Sequence, residues 1–260
     1  DYMCELTGKT EEEIFADLKG VIFLNPMHGY GNSTQAKYLM ADEYLSGNVR
    51  EKLVLARKSA ELYPEDYTVN VEVLERVQPK DLTASEIAVR LGATWLPTEI
   101  VEQFMFEFLG TPRYAQWNIK VHFSAYTGEW NIEGKSYDRS NVKAYSTYGT
   151  GRINAYKIIE ETLNLKDVRI FDYVEDADGK KKAVLNKKET AIAQAKQELI
   201  KQGFQDWVWS DPERRERLCR LYNDKFNSLR PREYDGSHIV FSGMNPEIEL
   251  REHQRNAVAH

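Results

Sequence analysis

The stretch Trp117 to Gly134, WNIKVHFSAYTGEWNIEG, limits the fold more than any other part of the chain. Ile119, Val121 and Phe123 fall on one side, polar residues fall on the other, and Thr127-Gly128 supplies a tight turn. Side chains of a strand point alternately to its two faces, so the pattern predicts a short antiparallel hairpin with one face on a core. SNVKAYSTYGT behind it predicts a third strand. The polar face carries Lys120, His122, Lys135, Arg139 and Lys143. It reads as a solvated sheet face that has the charge to meet nucleic acid.

Around this sheet the apolar spacing is mostly helical. Residues 1–20 predict two short helices: YMCELTG ends at Gly8, and Thr10 with Glu13 makes a capping box ahead of Ile14, Phe15 and Leu18. Val21 to Leu24 is a short apolar strand closed by Asn25-Pro26. The next segment, HGYGNSTQ, with Gly29 and Gly31, reads as a flexible loop that lacks the third glycine of a dinucleotide cradle. Tyr38 to Leu45 is expected to be extended. Asn48 caps a helix whose Val49, Leu53, Ala56 and Ala60 share a face, and Tyr67 to Val77 forms another.

Thr83 and Glu86 make a further capping box, which predicts a helix over SEIAVRLG. With the apolar helix carrying Ile100, Val101, Phe104, Met105 and Phe108, the spacing Ala88-x-x-x-Gly92 resembles a helix-turn-helix. Pro97 and the acids Glu99, Glu102 and Glu107 are wrong for a helix aimed at phosphates, so this pair reads as core. Later in the chain come a helix from Gly151 through Leu163, a hairpin about Asp178-Gly179 with lysines 180–182 at its tip, and a long helix from Lys187 to Gly203. Asp176-x-Asp178-Gly179 lacks the remaining oxygen ligands of a calcium loop, so no metal is expected. The fold class expected is α+β. A mainly helical subdomain covers 1–110, an α+β subdomain with antiparallel hairpins covers 111–233, and a linker covers 234–260.

A chain of 260 residues with 42% hydrophobic and 29% charged residues has enough apolar side chains for a core. No apolar run approaches the roughly 18 residues that cross a membrane. DYMCELTGKTEEE has no signal-peptide pattern, and Cys4 and Cys219 have no metal or redox spacing, so a cytoplasmic setting is expected. The net charge of −6 argues against a dominant nucleic-acid clamp and leaves room for a local basic surface. The candidate is the helix that opens at Asp211-Pro212, with Arg214, Arg215, Arg217 and Arg220, and with Trp207 and Trp209 just ahead of it. Two readings stand side by side. One is a phosphate-facing surface. In the other, Leu218, Leu221, Tyr222 and Phe226 pack inward while the arginines pair with surplus carboxylates.

Three runs carry a family resemblance: ADEYLSGNVREKL, VQPKDLTASEIAVRLGATWLP and FNSLRPREYDGSHIVFSGMNPEIELREHQRNAVAH. With the order of the segments, they make the chain resemble a region of very large bacterial and phage proteins carried on conjugative elements and prophages. There the region precedes a Swi/Snf-type superfamily 2 helicase module, often with a DNA methyltransferase module further upstream. Such proteins are labelled helicases, N6-adenine methylases or R subunits of type I restriction enzymes. The resemblance extends over most of the chain and is looser in the middle sheet.

It implies a non-catalytic fragment that positions DNA or the ATP-driven motor of a helicase or restriction-type translocase. Its partners would be DNA and the adjacent helicase and methyltransferase modules. Within LREHQRNAV the resemblance gives Gln254 the role of the adenine-reading glutamine. ATP and Mg are expected in the parent and no cofactor in this fragment, because no GxxxxGK[ST] phosphate loop occurs here. The tail reads as the approach to a motor, in a piece of something longer, with Gln254 exposed.

Two other classes of function stay open. A restriction-type nuclease or DNA methyltransferase domain needs clustered carboxylates or a cofactor loop. FLNP at 23–26 is only superficially like a methyltransferase motif, and Glu133, Lys135 and Asp138 would have to converge in a cleft with another acid. A protein-interaction module would show a large exposed apolar patch.

Overall fold

Each strand among the described residues has a single antiparallel neighbour, so short ribbons are scattered between helices instead of forming one sheet. A computed structural model of the protein describes residues 2–28, 34–175, 181–237, 239–245 and 247–259. The chain begins with α1 (Tyr2–Thr7), α2 (Glu11–Asp17), β1 (Ile22–Leu24), β2 (Tyr38–Met40), α3 (Ala41–Tyr44) and β3 (Gly47–Asn48). Then come α4 (Val49–Leu62), α5 (Pro64–Arg76), α6 (Thr98–Leu109), α7 (Arg113–Gln116), β4 (Lys120–Ser124) and β5 (Glu129–Glu133). A π-helical turn at Lys143–Thr147 leads to α8 (Ala155–Leu163), β6 (Phe171–Glu175), β7 (Lys181–Leu185) and α9 (Lys187–Val208). The last elements are α10 (Pro212–Phe226), β8 (Leu229–Arg230) and α11 (Glu252–Ala259). The fold is α+β, as the sequence implies.

The chain divides into two units, residues 1–81 with 223–260 and residues 82–222, and not at the expected 110 and 233. The reason is packing. In the middle unit, Phe104 of α6 is fully buried and its ring lies 5.1 Å from that of Phe204 on α9, so α6 belongs with the later helices of that unit. In the other unit, β8 returns to pair with β3, Gly47 opposite Arg230 and Asn48 opposite Leu229.

The first unit is built on α4 and α5. The Asn48 side chain accepts the Glu51 N–H and starts α4, as its sequence position predicts, and Val49, Leu53 and Ala56 face inward. Phe23 stacks on Tyr44 with ring centres 5.0 Å apart. Asn70, almost fully buried, donates to Leu24 O at 2.8 Å and to the Tyr44 hydroxyl at 2.9 Å. Burial pushes the Tyr44 phenol up to about 12. The Lys52 ammonium donates to the carbonyls of Glu43 and Tyr44, loose ends of α3, and to that of Ser46 just beyond it. Tyr38 to Leu45 is extended only as far as Met40, and α3 begins at once.

The middle unit is organised by the hairpin β4–β5, whose register runs from Lys120 opposite Glu133 to Ser124 opposite Glu129. Val121, Trp130 and Ile132 are buried with Ile119, and the alternation read from the sequence holds. Buried Glu160 of α8 accepts the Ile132 N–H at 2.8 Å and the ammonium groups of Lys135 and Lys157, so one carboxylate ties the hairpin to a helix.

Two local expectations fail here. SEIAVRLG is not helical: Glu86 accepts the Thr83 N–H and closes a turn, after which Ile87, Val89 and Leu91 are buried at alternate positions. The apolar helix after it is core, as its sequence reads, with Ile100, Val101, Phe104 and Met105 buried. The third strand is the π-helical turn instead, nucleated where the Asn141 side chain accepts the Ala144 N–H and donates to Leu109 O. Gly29, Gly31, Asp176, Asp178, Gly179 and Lys180 lie outside the described residues.

Candidate nucleic-acid interface

The basic helix α10 is capped by Asp211, whose side chain accepts the Arg214 N–H at 2.7 Å. Its first arginine turns inward. Arg214 is 6% exposed and its guanidinium lies 3.6 Å from the centre of the Trp207 ring. It donates to Val208 O at 3.1 Å, Trp207 O at 2.7 Å and Ser210 Oγ at 3.2 Å. Both carbonyls lie in the last turn of α9, where a cation meets the negative end of the helix dipole. Trp207 Nε1 donates in turn to Glu107 Oε2 of α6 at 2.6 Å. Burial holds the guanidinium below its ordinary value. Arg214 is therefore a bracket between helices and no part of a surface.

Arg215, Arg217 and Arg220 are exposed. Arg220 pairs with Glu216 at 3.2 Å, while Arg215 and Arg217 have no ion pair among the described residues. Helical spacing sets Glu213 and Glu216 on the side of Arg217 and Arg220, so that face is a mixture of signs. Three of the four predicted arginines reach solvent.

Most of the predicted basic side chains on the hairpin face carboxylates. Lys120 faces Glu102 at 3.8 Å, His122 faces Glu133 at 3.5 Å, and Lys135 reaches Glu160. Arg139 and Lys143 are exposed and lie after the hairpin, not on its strands. Glu133, Lys135 and Asp138 do not converge. Glu133 points to solvent, Lys135 is held by Glu160, and Asp138 is fully buried. Asp138 Oδ2 accepts the Tyr156 hydroxyl and the Asn141 amide, each at 2.6 Å, and the Tyr156 hydroxyl lies 2.8 Å from Thr111 Oγ1. Burial and then the Asp138 carboxylate push the Tyr156 phenol well above its ordinary value. Among the described residues no three His, Cys, Asp or Glu side chains are grouped to hold a metal ion.

Gln254 lies on α11 and is exposed. Its Oε1 accepts the Arg251 N–H at 2.9 Å, a cap at the start of the helix. Asn256 Oδ1 accepts the Gly236 N–H at 3.0 Å and fastens the helix to the chain before it.

The chain up to Met40 holds features that sequence reasoning does not connect. α1 and α2 are joined by a tight turn at Gly8, whose φ is +66°, and β1 and β2 come next as an antiparallel ribbon. The capping box forms as predicted, Thr10 Oγ1 accepting the Glu13 N–H and Glu13 the Thr10 N–H. An apolar cleft of about 460 Å³ between these elements is lined by Tyr2, Met3, Phe15, Ile22, Tyr38 and Met40 among others.

Comparison with known families adds two matches. A family described as a domain of unknown function (DUF8437) matches residues 90–228, more than half of the chain. A family described as a probable helicase, winged helix domain, matches residues 1–35. No curated protein matches the chain, and no solved structure matches it. Among the described residues no helix is long and apolar enough to cross a membrane.

Proposed function

We propose that this chain, which belongs to the DUF8437 family, is a non-catalytic accessory region of a DNA helicase or translocase, and that it positions DNA or the ATP-driven motor. The observation that carries this is the helicase winged-helix match at residues 1–35. The chain has no phosphate loop, so ATP and Mg would belong to the parent's motor. Of the residues here, Gln254 alone would meet the nucleotide. Its Oε1 accepts the Arg251 N–H, which orients the amide and leaves a second lone pair and the Nε2 donor for adenine. A restriction-modification or mobile-element setting in the cytoplasm is part of the same proposal.

Physical detail sharpens the role. In a helix-turn-helix the second helix enters the major groove. Here that helix opens with Glu11, Glu12 and Glu13, which phosphates repel. The N-terminal helices therefore serve contact with protein, and duplex DNA is met by Arg215, Arg217 and Arg220. Duplex binding at two salt concentrations tests this. Affinity should fall steeply with salt and be several-fold weaker in the triple variant Arg215→Ala, Arg217→Ala, Arg220→Ala. No binding at low salt, or no change in the variant, removes DNA positioning from this chain.

A second reading, a protein-interaction module, is favoured by the exposure of Tyr2, Met3, Leu6 and Met40 beside the apolar cleft.

A further inference from the structure

We propose that the loops at one end of the middle unit form a stacking platform for single-stranded nucleic acid. Three aromatic residues there are turned outward: Trp117 is 82% exposed, Tyr114 61% and Tyr137 61%. Tryptophan gains more from burial than almost any residue, so a Trp left in water on loops that carry two more outward aromatics is costly unless a ligand covers it. Three exposed cations accompany them, Arg113, Arg139 and Lys143, and none has an ion pair among the described residues.

The loops are held together by fixed contacts. Ala115 is fully buried and anchors α7, and Gln116 donates to Thr111 O at 2.7 Å, which leaves Arg113, Tyr114 and Trp117 outward. The chain leaving β5 passes Asn118 so closely that a Cβ at Gly134 would lie 2.0 Å from Asn118 O. Tyr137 N–H closes a turn onto Gly134 O at 2.9 Å. The Asn141 amide donates to Leu109 O at 3.1 Å, and the Asp138–Tyr156–Thr111 chain ties the same two segments from below.

Charge selects the ligand. Residues 109–118 and 134–147 contain four Lys or Arg, of which Lys135 is held by Glu160 and the other three are exposed, and one acid, Asp138, which is buried. In a chain of net charge −6 this is a local surplus that suits phosphates. Aromatic faces take bases only when those bases are unstacked, so a single strand fits where a duplex does not. The geometry stands apart from the helicase reading, which supplies its setting: strand separation exposes such a ligand.

The test uses the whole chain with fluorescently labelled 20-mers of deoxythymidylate and of uridylate at two salt concentrations. An unlabelled duplex serves as competitor. Both strands should bind, quench tryptophan fluorescence, and weaken with salt. Trp117→Ala should weaken binding about tenfold. Trp117→Phe should restore most of it without the quenching. Arg113→Ala with Arg139→Ala should lower both affinity and salt dependence. Preference for one strand assigns DNA or RNA. Equal competition by the duplex, or a Trp117→Ala protein that binds like the parent and keeps its circular dichroism, overturns the platform. The triple variant at Arg215, Arg217 and Arg220 should leave single-strand binding intact, which separates failure of the duplex surface from failure of this one.

Discussion

The two units differ in what fills them. In the middle unit a continuous apolar cluster extends from Val89 to Leu218, and Phe104 packs its ring on those of Phe108, Phe204 and Trp207. The other unit closes on Phe23, Tyr44, Val49, Leu53, Ala56 and Leu74, with Asn70 hydrogen-bonded among them. A large apolar core keeps loops rigid by packing alone, and the outward tryptophan is carried by the unit that has one. A small core must draw specificity from single hydrogen bonds, each of which stands without reserve.

The largest expected effect sets this contrast directly. Phe104→Ala should cost about 3–5 kcal/mol in the middle unit, read by urea denaturation. Tryptophan emission suits the purpose, because Trp95, Trp117, Trp130, Trp207 and Trp209 all lie in residues 82–222. A loss below about 1 kcal/mol would break the picture of a packed core. Asn70→Ala should cost about 1–3 kcal/mol, since Leu24 O and the Tyr44 hydroxyl lose their donor. Hydrogen exchange of the α4 and α5 amides reports it, and unchanged protection would mean that the small core does not depend on that residue.

Acid should separate the units further. Burial raises the Glu160 carboxyl, but Lys135, Lys157 and the Ile132 N–H outweigh it and leave the value lowered. A lowered folded value gives stability that is complete above the ordinary carboxylate range and is lost as pH falls through the depressed value. The urea midpoint of the middle unit should therefore drop in acid, and Glu160→Gln should be less stable at neutral pH with a flatter acid limb. An identical slope in the variant would assign the acid sensitivity elsewhere. The smallest effect is a gain. Leu165 ends α8 in the left-handed region at φ +58°, with the Lys166 N–H on Glu161 O and its own N–H on Thr162 O. Leu165→Gly should raise the midpoint by an amount worth about 0.5–1 kcal/mol, relief of strain exceeding the entropy of glycine.

How much can be read in advance depends on the range of the interactions. Thr10 with Glu13, Asn48 with Glu51 and Asp211 with Arg214 are partners three residues apart, and their caps are visible in the sequence. The hairpin at Thr127-Gly128 is equally local. Thr83 and Glu86 look the same and form only a turn, because the alternation of Ile87, Val89 and Leu91 prevails over the cap. In the sequence Arg214 looks like a surface charge; its burial depends on Trp207 seven positions earlier and on Glu107 from another helix. The platform about Trp117 escapes sequence reasoning for a related reason. Exposure of an aromatic residue is a property of the finished surface, and the one available signal is the shortage of acids on both sides of Asp138.

The pairing of β3 with β8 has a consequence for the order of events at the ribosome. Gly47 meets a partner that is made about 180 residues later. At about 5–20 residues per second that interval is roughly 10–40 s. The middle unit is one uninterrupted stretch and emerges complete within it, whereas the flanking unit remains half-made with its strand edge open. A nascent chain of this design needs that edge shielded until Leu229 and Arg230 arrive, and premature termination before them would release a protein with a finished centre and an unfinished frame.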